Sequence, residues 1–322
     1  MQGQKSPERS APRVYVGIDV CKDWLDVYLH PIGQAFRVAN APEGLRALGR
    51  RLARLSVERI VMEATAKFHR QAHRTLHAQG FAVAVVNPLR ARMFGEAVGQ
   101  LAKTDRLDAR LLALMGQSLE PAALAPAPEA IEALQELTRE RAAAVADQTA
   151  LSNRRAASQT PFLKAALGRQ LDAFAQHIER LEAEIKRRIA DDPALQRRVD
   201  ILLSIPGVGP VAAAALAIGL PELGVCSAKA ATLLAGLAPL ACDSGKKAGE
   251  RHIKGGRAHV RTGIYFAAIA ASRFNPQLRE DYQRLIALGK KAKVAITAIM
   301  RKLVVLANAL IKENRTWSPV LP

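Results

Sequence analysis

From residue 14 to about Glu120, short apolar runs rich in β-branched residues alternate with stretches whose apolar positions recur every three or four residues. β-Branched side chains suit a pleated surface and a 3.6-residue period lines one face of a helix, so the pattern predicts alternating strands and helices. The run Val14-Tyr15-Val16-Gly17-Ile18-Asp19 reads as a strand buried on both faces. Further strands are expected over Trp24–Leu29, Phe36–Ala39, Arg59–Met62 and Phe81–Val86, and helices over about Glu43–Leu55, Ala66–Gln79 and Asp105–Gln117. The first three strands are close enough for hairpin connections, whereas the fourth and fifth need helical crossovers, so the sheet is expected to be mixed.

That is the layout of a ribonuclease-H-like domain. After it, Pro121-Ala122-Ala123-Leu124-Ala125-Pro126-Ala127-Pro128 reads as an extended linker. Glu129 to about Ile189 is helical by period, as two long helices broken around Thr160-Pro161. Leu167, Leu171, Phe174, Ile178, Leu181 and Ile185 step by four and three, the spacing of a coiled-coil seam. The seam is short, which suits an antiparallel hairpin or a contact between subunits; a packed hairpin with no partner fits the same residues. A last helix from Lys290 to Lys312 reads as a core helix with a basic outer face. The expected organisation is α/β followed by α: a polar, disordered tail over 1–12, a mixed-sheet domain over 13–120, a linker over 121–128, a helical coiled-coil region over 129–200 and a mostly helical domain over 201–322.

Charge narrows the partner. The chain carries +18 with a sequence pI near 10.4, the footprint of a polyanion binder. Residues 1–120 hold 18 Lys/Arg against 11 Asp/Glu, residues 121–241 hold 13 against 13, and residues 242–322 hold 16 against 5, so basic ends flank a balanced middle. Aromatics are only 4% of residues, so phosphate contacts are expected to outweigh stacking on unpaired bases. A basic membrane-surface protein competes with this reading, but no segment is expected to span a bilayer, Val211 to Leu220 being too short. No hydrophobic signal sequence precedes the first strand, and Cys21, Cys226 and Cys242 lack CxxC spacing, which points to reduced thiols in the cytoplasm.

Four carboxylates carry the candidate chemistry. Asp19 closes the first strand and taken alone reads as a turn residue. Glu63 closes the strand Arg59-Ile60-Val61-Met62 and alone reads equally as a helix cap. Asp105 and Asp108, spaced to share one helix face, could simply complement a helix dipole behind Thr104 as N-cap. Together they say more, because central parallel strands deliver their C-terminal ends to one edge, where open α/β sheets bind ligands. Acids converging there repel one another unless hard cations such as a pair of Mg²⁺ ions sit among them, the arrangement of a two-metal phosphodiester-cutting site.

Three other segments stand out. Ser204-Ile205-Pro206-Gly207-Val208-Gly209-Pro210 is a turn of small residues feeding a helix. It resembles the helix-hairpin-helix element, in which backbone N–H groups at Gly207 and Gly209 approach a phosphate, and reads equally as an ordinary tight turn. Cys242-Asp243-Ser244-Gly245 opens a loop with Lys246, Lys247, Arg251, Lys254, Arg257 and Arg261, all phosphate ligands by type. Ser244 there is either a nucleophile activated by its surroundings or part of a basic loop that only grips backbone. His69, His73 and His77 recur every four residues and, with no Cys or carboxylate partner, read as a solvated or nucleic-acid-facing stripe rather than a metal site.

At this point the residues carry a resemblance. Gly17-Ile18-Asp19-Val20 with Lys22 and Asp26, Glu63-Ala64-Thr65, Asn87-Pro88 and Lys103-Thr104-Asp105-Arg106-Leu107-Asp108-Ala109 resemble the DEDD transposases of bacterial insertion sequences. Ile205-Pro206-Gly207-Val208-Gly209, Ala235-Gly236-Leu237-Ala238-Pro239 and Asp243-Ser244-Gly245 through Gly255-Gly256-Arg257 are similar to that family's C-terminal domain. The resemblance runs from about residue 13 to 312. It implies a RuvC-like N-terminal domain, a coiled-coil dimerisation region and a C-terminal domain with a catalytic serine, acting on donor and target double-stranded DNA under the direction of a structured bridge RNA. It implies further that Asp19, Glu63, Asp105 and Asp108 bind Mg²⁺ or Mn²⁺, and that Ser244 attacks a DNA phosphate to form a covalent phosphoserine. In the family the acidic cluster of one subunit meets the serine of another, in dimers that assemble to tetramers, in the bacterial cytoplasm at the nucleoid. Two departures are visible: Cys21 stands where a serine is common, and Asp243 precedes a single serine where many relatives have two. A junction resolvase or nuclease using water, and a non-catalytic nucleic-acid scaffold, are the competing readings.

Overall fold

The computed structural model describes residues 12–100, 105–241, 243, 249 and 251–319, the side chains of Asp105 and Arg106 excepted. The expected disordered tail, the N-cap Thr104 and Ser244, Lys246 and Lys247 therefore fall outside the described residues. Two compact units divide the chain between Ala127 and Pro128.

The first unit is built on β1 (Val14–Val20), β2 (Trp24–His30), β3 (Gln34–Ala39), β4 (Val57–Glu63) and β5 (Val83–Val86), in the spatial order β3-β2-β1-β4-β5. β1, β2 and β3 form an antiparallel meander, and β1, β4 and β5 are parallel, so the expected mixed sheet is present. Between and after the strands lie α1 (Pro42–Leu52), α2 (His69–Ala78), α3 (Pro88–Ala97) and α4 (Asp105–Leu119). On one face Leu45, Leu48 and Leu52 of α1 and Ala72 and Leu76 of α2 bury against Val16, Ile18, Ile60 and Met62. On the other, Ala91 of α3 and Leu112 and Met115 of α4 bury against Val61, Ala84 and Val86. At about 25 cal/mol per Å² of apolar surface, layers of this kind supply most of the drive to fold.

α4 seats on β1 because Gly17 has no side chain. A Cβ there would come within 1.9 Å of the Ala109 carbonyl oxygen and 2.4 Å of the Ala113 nitrogen. Further along, Gly116 sits against Val61 and Tyr15. The N-terminal turns of α4 thus overlie the C-terminal ends of β1 and β4.

α3 has no counterpart among the expected helices. Only Ala91 and Gly95 are buried and Leu89 and Met93 are exposed, so no apolar period marks it. Its signal is local: Asn87 accepts a 2.8 Å bond from the Leu89 N–H and Pro88 starts the helix. The histidine stripe is also corrected, since His73 is buried with Nε2 2.8 Å from the Leu124 carbonyl oxygen rather than solvated. That contact, a Leu124 N–H bond to Val83 at 3.1 Å and an Arg74 bond to the Ala127 carbonyl at 3.0 Å fasten the proline-rich stretch to the first unit.

The second unit is mostly helical: α5 (Glu129–Ala157), α6 (Pro161–Ala190), α7 (Pro193–Leu203), α8 (Pro210–Gly219), α9 (Ala228–Leu234), α10 (Ala258–Phe274), α11 (Pro276–Ala287) and α12 (Ala292–Lys312), with a ribbon of β6 (Pro239–Leu240) and β7 (His252–Ile253). α5 and α6 fold back on each other as an antiparallel hairpin, with Arg141 paired to Glu182 at 2.6 Å. Along the α6 seam Leu181 and Ile185 are buried, whereas Leu167, Leu171, Phe174 and Ile178 are only half-buried. Ile201, Ala213, Leu216, Ile264, Ala268, Ile299 and Leu303 form the main core. The expectation that no segment is long and apolar enough to span a bilayer fails at α12, whose mean hydropathy reaches 1.9. Its composition has a core explanation: Ala295, Ile299, Leu303, Val304, Ala307 and Leu310 are buried within the unit.

Candidate active site

β1 and β4 run parallel with Ile18 beside Met62, which brings Asp19 and Glu63 side by side at the strand ends. Side chains two apart share a face of a strand, so Asp19 points as Gly17 does, toward α4, and Glu63 points as Val61 does. Asp108 immediately precedes Ala109, the residue whose carbonyl overlies Gly17, and Asp105 opens the same helix one turn earlier. Strand register and helix seating together bring the acid-bearing positions to one edge of the first unit. Asp19, Glu63 and Asp108 are each half-buried.

All four members are carboxylates, the hard oxygen donors that Mg²⁺ and Mn²⁺ prefer. Among the described residues no three His, Cys, Asp or Glu side chains form a group able to hold an ion, and that set excludes the Asp105 side chain. By donor type Asp19, Glu63 and Asp108 suit a divalent cation, and the Asp105 side chain lies outside the described residues.

One neighbour of this edge escapes a reading by sequence position. Asp26 on β2 lies directly across from Asp19, and Arg37 on β3 lies across from Asp26. Asp26 is 5% exposed, and Arg37 holds it through Nε at 2.9 Å and Nη2 at 2.7 Å. A cavity of about 270 Å³ opens beside the pair, lined also by Phe36 and Ala109. The available signal was an acid in an otherwise apolar strand, opposite an arginine on the next.

In the second unit, the β6–β7 ribbon supports the loop expected to carry the serine. Asp243 accepts bonds from the Gly249 N–H at 3.0 Å and from Arg251 Nη2 at 3.1 Å, tying the two sides of that loop together. Lys254 is exposed. Arg257 and Arg261, expected among the phosphate ligands, are engaged within the unit. Arg257 holds Glu222 through two bonds of 2.6 and 2.5 Å and donates to the Gly219 carbonyl at 2.9 Å. Arg261 donates to the carbonyls of Gly236 at 3.3 Å and Gly255 at 3.0 Å. Gly256, at φ +65, fits there because a Cβ would meet the Gly236 nitrogen at 2.1 Å. In the turn before α8, Gly207 packs on the backbone of α10, where a Cβ would lie 2.4 Å from the Ala271 nitrogen, whereas Gly209 faces open space.

The Arg257 cluster carries a pH dependence. Burial raises the Glu222 pKa, but hydrogen bonds from Arg257 and the charges of Arg257 and Arg198 outweigh it and hold the group below its ordinary value. His259 is also held low, by burial first and then by the charges of Arg257 and Arg139. A depressed pKa means the unfolded chain takes up the proton first, so stability falls as pH drops below the unfolded value, about 6.5 for histidine. Glu222 adds a further loss only below about pH 4.3. The melting temperature is therefore expected to fall as the pH drops from 7 to 5.5, and His259→Gln to flatten that slope, in thermal melts across pH.

Residues 16–158 match a family model for the DEDD transposase of IS110, described as a transposase. Residues 199–283 match the model of the IS116/IS110/IS902 transposase family. The chain is similar to the pilin gene-inverting proteins of Moraxella bovis and Moraxella lacunata, each 26% identical over 316 residues that cover 95% of this chain and 98% of the relative. It is also 29% identical, over 160 residues, to an uncharacterized 42 kDa protein of insertion element IS900 from Mycobacterium paratuberculosis, covering 48% of this chain and 39% of that protein.

Proposed function

We propose that the chain, which matches two models of IS110-type transposases, is a DNA-cutting enzyme of that family, and that it cuts and rejoins strands as follows. Asp19, Glu63, Asp105 and Asp108 hold divalent cations, Mg²⁺ or Mn²⁺, at the edge where β1 and β4 end. Such cations, when bound, stabilise charge on a DNA phosphate. Ser244 supplies the nucleophile: its Oγ bonds to phosphorus as a deoxyribose hydroxyl leaves, and the strand end is held as a phosphoserine ester. Rejoining reverses the step with a new hydroxyl. The observation that carries this reading is the seating of α4 on Gly17, which brings the start of that helix to the ends of two acid-bearing strands.

The basic residues divide by role. Lys246, Lys247, Arg251 and Lys254 grip phosphates, whereas Arg257, bound to Glu222 and Gly219, and Arg261, bound to Gly236 and Gly255, serve the packing of the second unit. Gly209, facing open space at the start of α8, approaches backbone phosphate more readily than Gly207, which α10 covers. The half-buried part of the α6 seam, Leu167 to Ile178, serves subunit association, in dimers that assemble to tetramers, with the acids of one subunit meeting the serine of another. Donor and target duplexes are chosen by a structured RNA in the cytoplasm, at the nucleoid, so the protein needs no base-reading element of its own. The relatives named as gene-inverting proteins are in keeping with an enzyme that rejoins what it cuts.

Chelation tests the cation requirement. Cutting of target DNA by the full chain is expected to fall to background in EDTA and return with Mg²⁺; undiminished cutting in EDTA would overturn the reading. RNase treatment of the same preparation is expected to abolish site-selective joining, and joining that survives it would remove the RNA from the account.

A further inference from the structure

Arg37, Asp26, Asp19 and Glu63 form one row across four neighbouring strands, β3, β2, β1 and β4. Asp26 is almost wholly buried at the centre of that row, and an ionised carboxylate without water needs a partner. Arg37 provides it with a fork of two N–H bonds, the geometry lysine cannot reproduce. Its guanidinium carbon also lies 4.6 Å from the centre of the Trp24 ring, which fixes the plane of the fork. Such a pair adds little net stability over apolar side chains of equal volume, so core packing is a weak reason for it beside the acidic edge.

We propose that Arg37 is a positioning residue of the cation site: it cancels the charge of Asp26, directly across from Asp19, and keeps that carboxylate out of the set formed by Asp19, Glu63, Asp105 and Asp108. The inference rests on the divalent cation reading above. With the fork intact, Asp26 adds no net charge beside Asp19. Without Arg37, a fifth carboxylate next to Asp19 is uncompensated, and cations bind more tightly. Without Asp26, one negative charge beside Asp19 is lost and cations bind more weakly. Removing both restores the balance.

The test is Mn²⁺ titration of the full chain, read by electron paramagnetic resonance of free Mn²⁺, with a thermal melt of each variant. Arg37→Gln is expected to bind Mn²⁺ about tenfold more tightly and Asp26→Asn about tenfold more weakly, the effect of one uncompensated charge beside a divalent ion. The double variant is expected to return to within about twofold of wild type, as charge compensation requires. If Arg37→Gln and Asp26→Asn melt at lower temperature but bind Mn²⁺ as wild type does, while Asp19→Asn binds it weakly, the pair is structural and the proposal is overturned alone. If Asp19→Asn also binds as wild type does, the cation reading itself falls and takes the proposal with it. Should Arg37→Gln fail to fold, Asp26→Asn carries the test, and unchanged binding in it overturns the proposal.

Discussion

Asp19→Asn is expected to lower the rate of DNA strand cutting by about 1,000-fold or more while changing DNA affinity by no more than about twofold. The substitution keeps the shape of the side chain and removes one charge and one cation-binding oxygen. Asp19 sits near the end of β1, beside Glu63 and facing the helix that bears Asp108, so the substitution falls on that edge of the sheet. Affinity for DNA comes from the net charge of +18, which one carboxylate barely alters. Single-turnover cutting at saturating DNA, set beside equilibrium binding, separates the two quantities. A non-catalytic scaffold predicts no change in either.

Ser244→Ala is expected to abolish the covalent protein–DNA adduct and to lower strand joining by about 10,000-fold, with DNA binding retained. A serine hydroxyl is a weak nucleophile at its free pKa and needs a stabilised phosphate to attack. Losing the Oγ leaves water as the only attacking group, and water cannot store the strand end for rejoining. A junction resolvase predicts a different pattern, with cutting preserved in Ser244→Ala and no adduct in wild type. Mixing Asp19→Asn subunits with Ser244→Ala subunits adds a check on composition. Activity recovered in the mixture means that the acids and the serine act from different subunits.

The sheet was readable because it rests on short-range patterns, the β-branched runs that reach Asp19 and Glu63. The helix that carries Asp105 and Asp108 was readable from its apolar period. The seating of α4 was not readable, since a glycine in a strand tells nothing about which helix lies on it until Gly17 meets Ala109. α3 lacks an apolar period because it buries only small residues, so Asn87 and Pro88 were its sole marks. His73 looked like part of an exposed stripe, because periodicity cannot foresee that the Leu124 carbonyl folds back onto it. Arg257 and Arg261 resembled the lysines around them by charge, yet their planar forks hold Glu222 and glycine carbonyls, long-range partners that sequence spacing does not reveal. α12 passed unnoticed as a long apolar helix because its lysines and Arg301 were read as a basic outer face; the run between them is core.

The most direct measurement is to quench a reaction of the full chain with its RNA, DNA and Mg²⁺ in denaturant, digest it, and locate any nucleotide-bearing peptide by mass spectrometry. A phosphodiester-linked nucleotide is expected on Ser244 in wild type and none in Asp19→Asn. Cut DNA with no protein attached, or an adduct undiminished in Asp19→Asn, would contradict this mechanism.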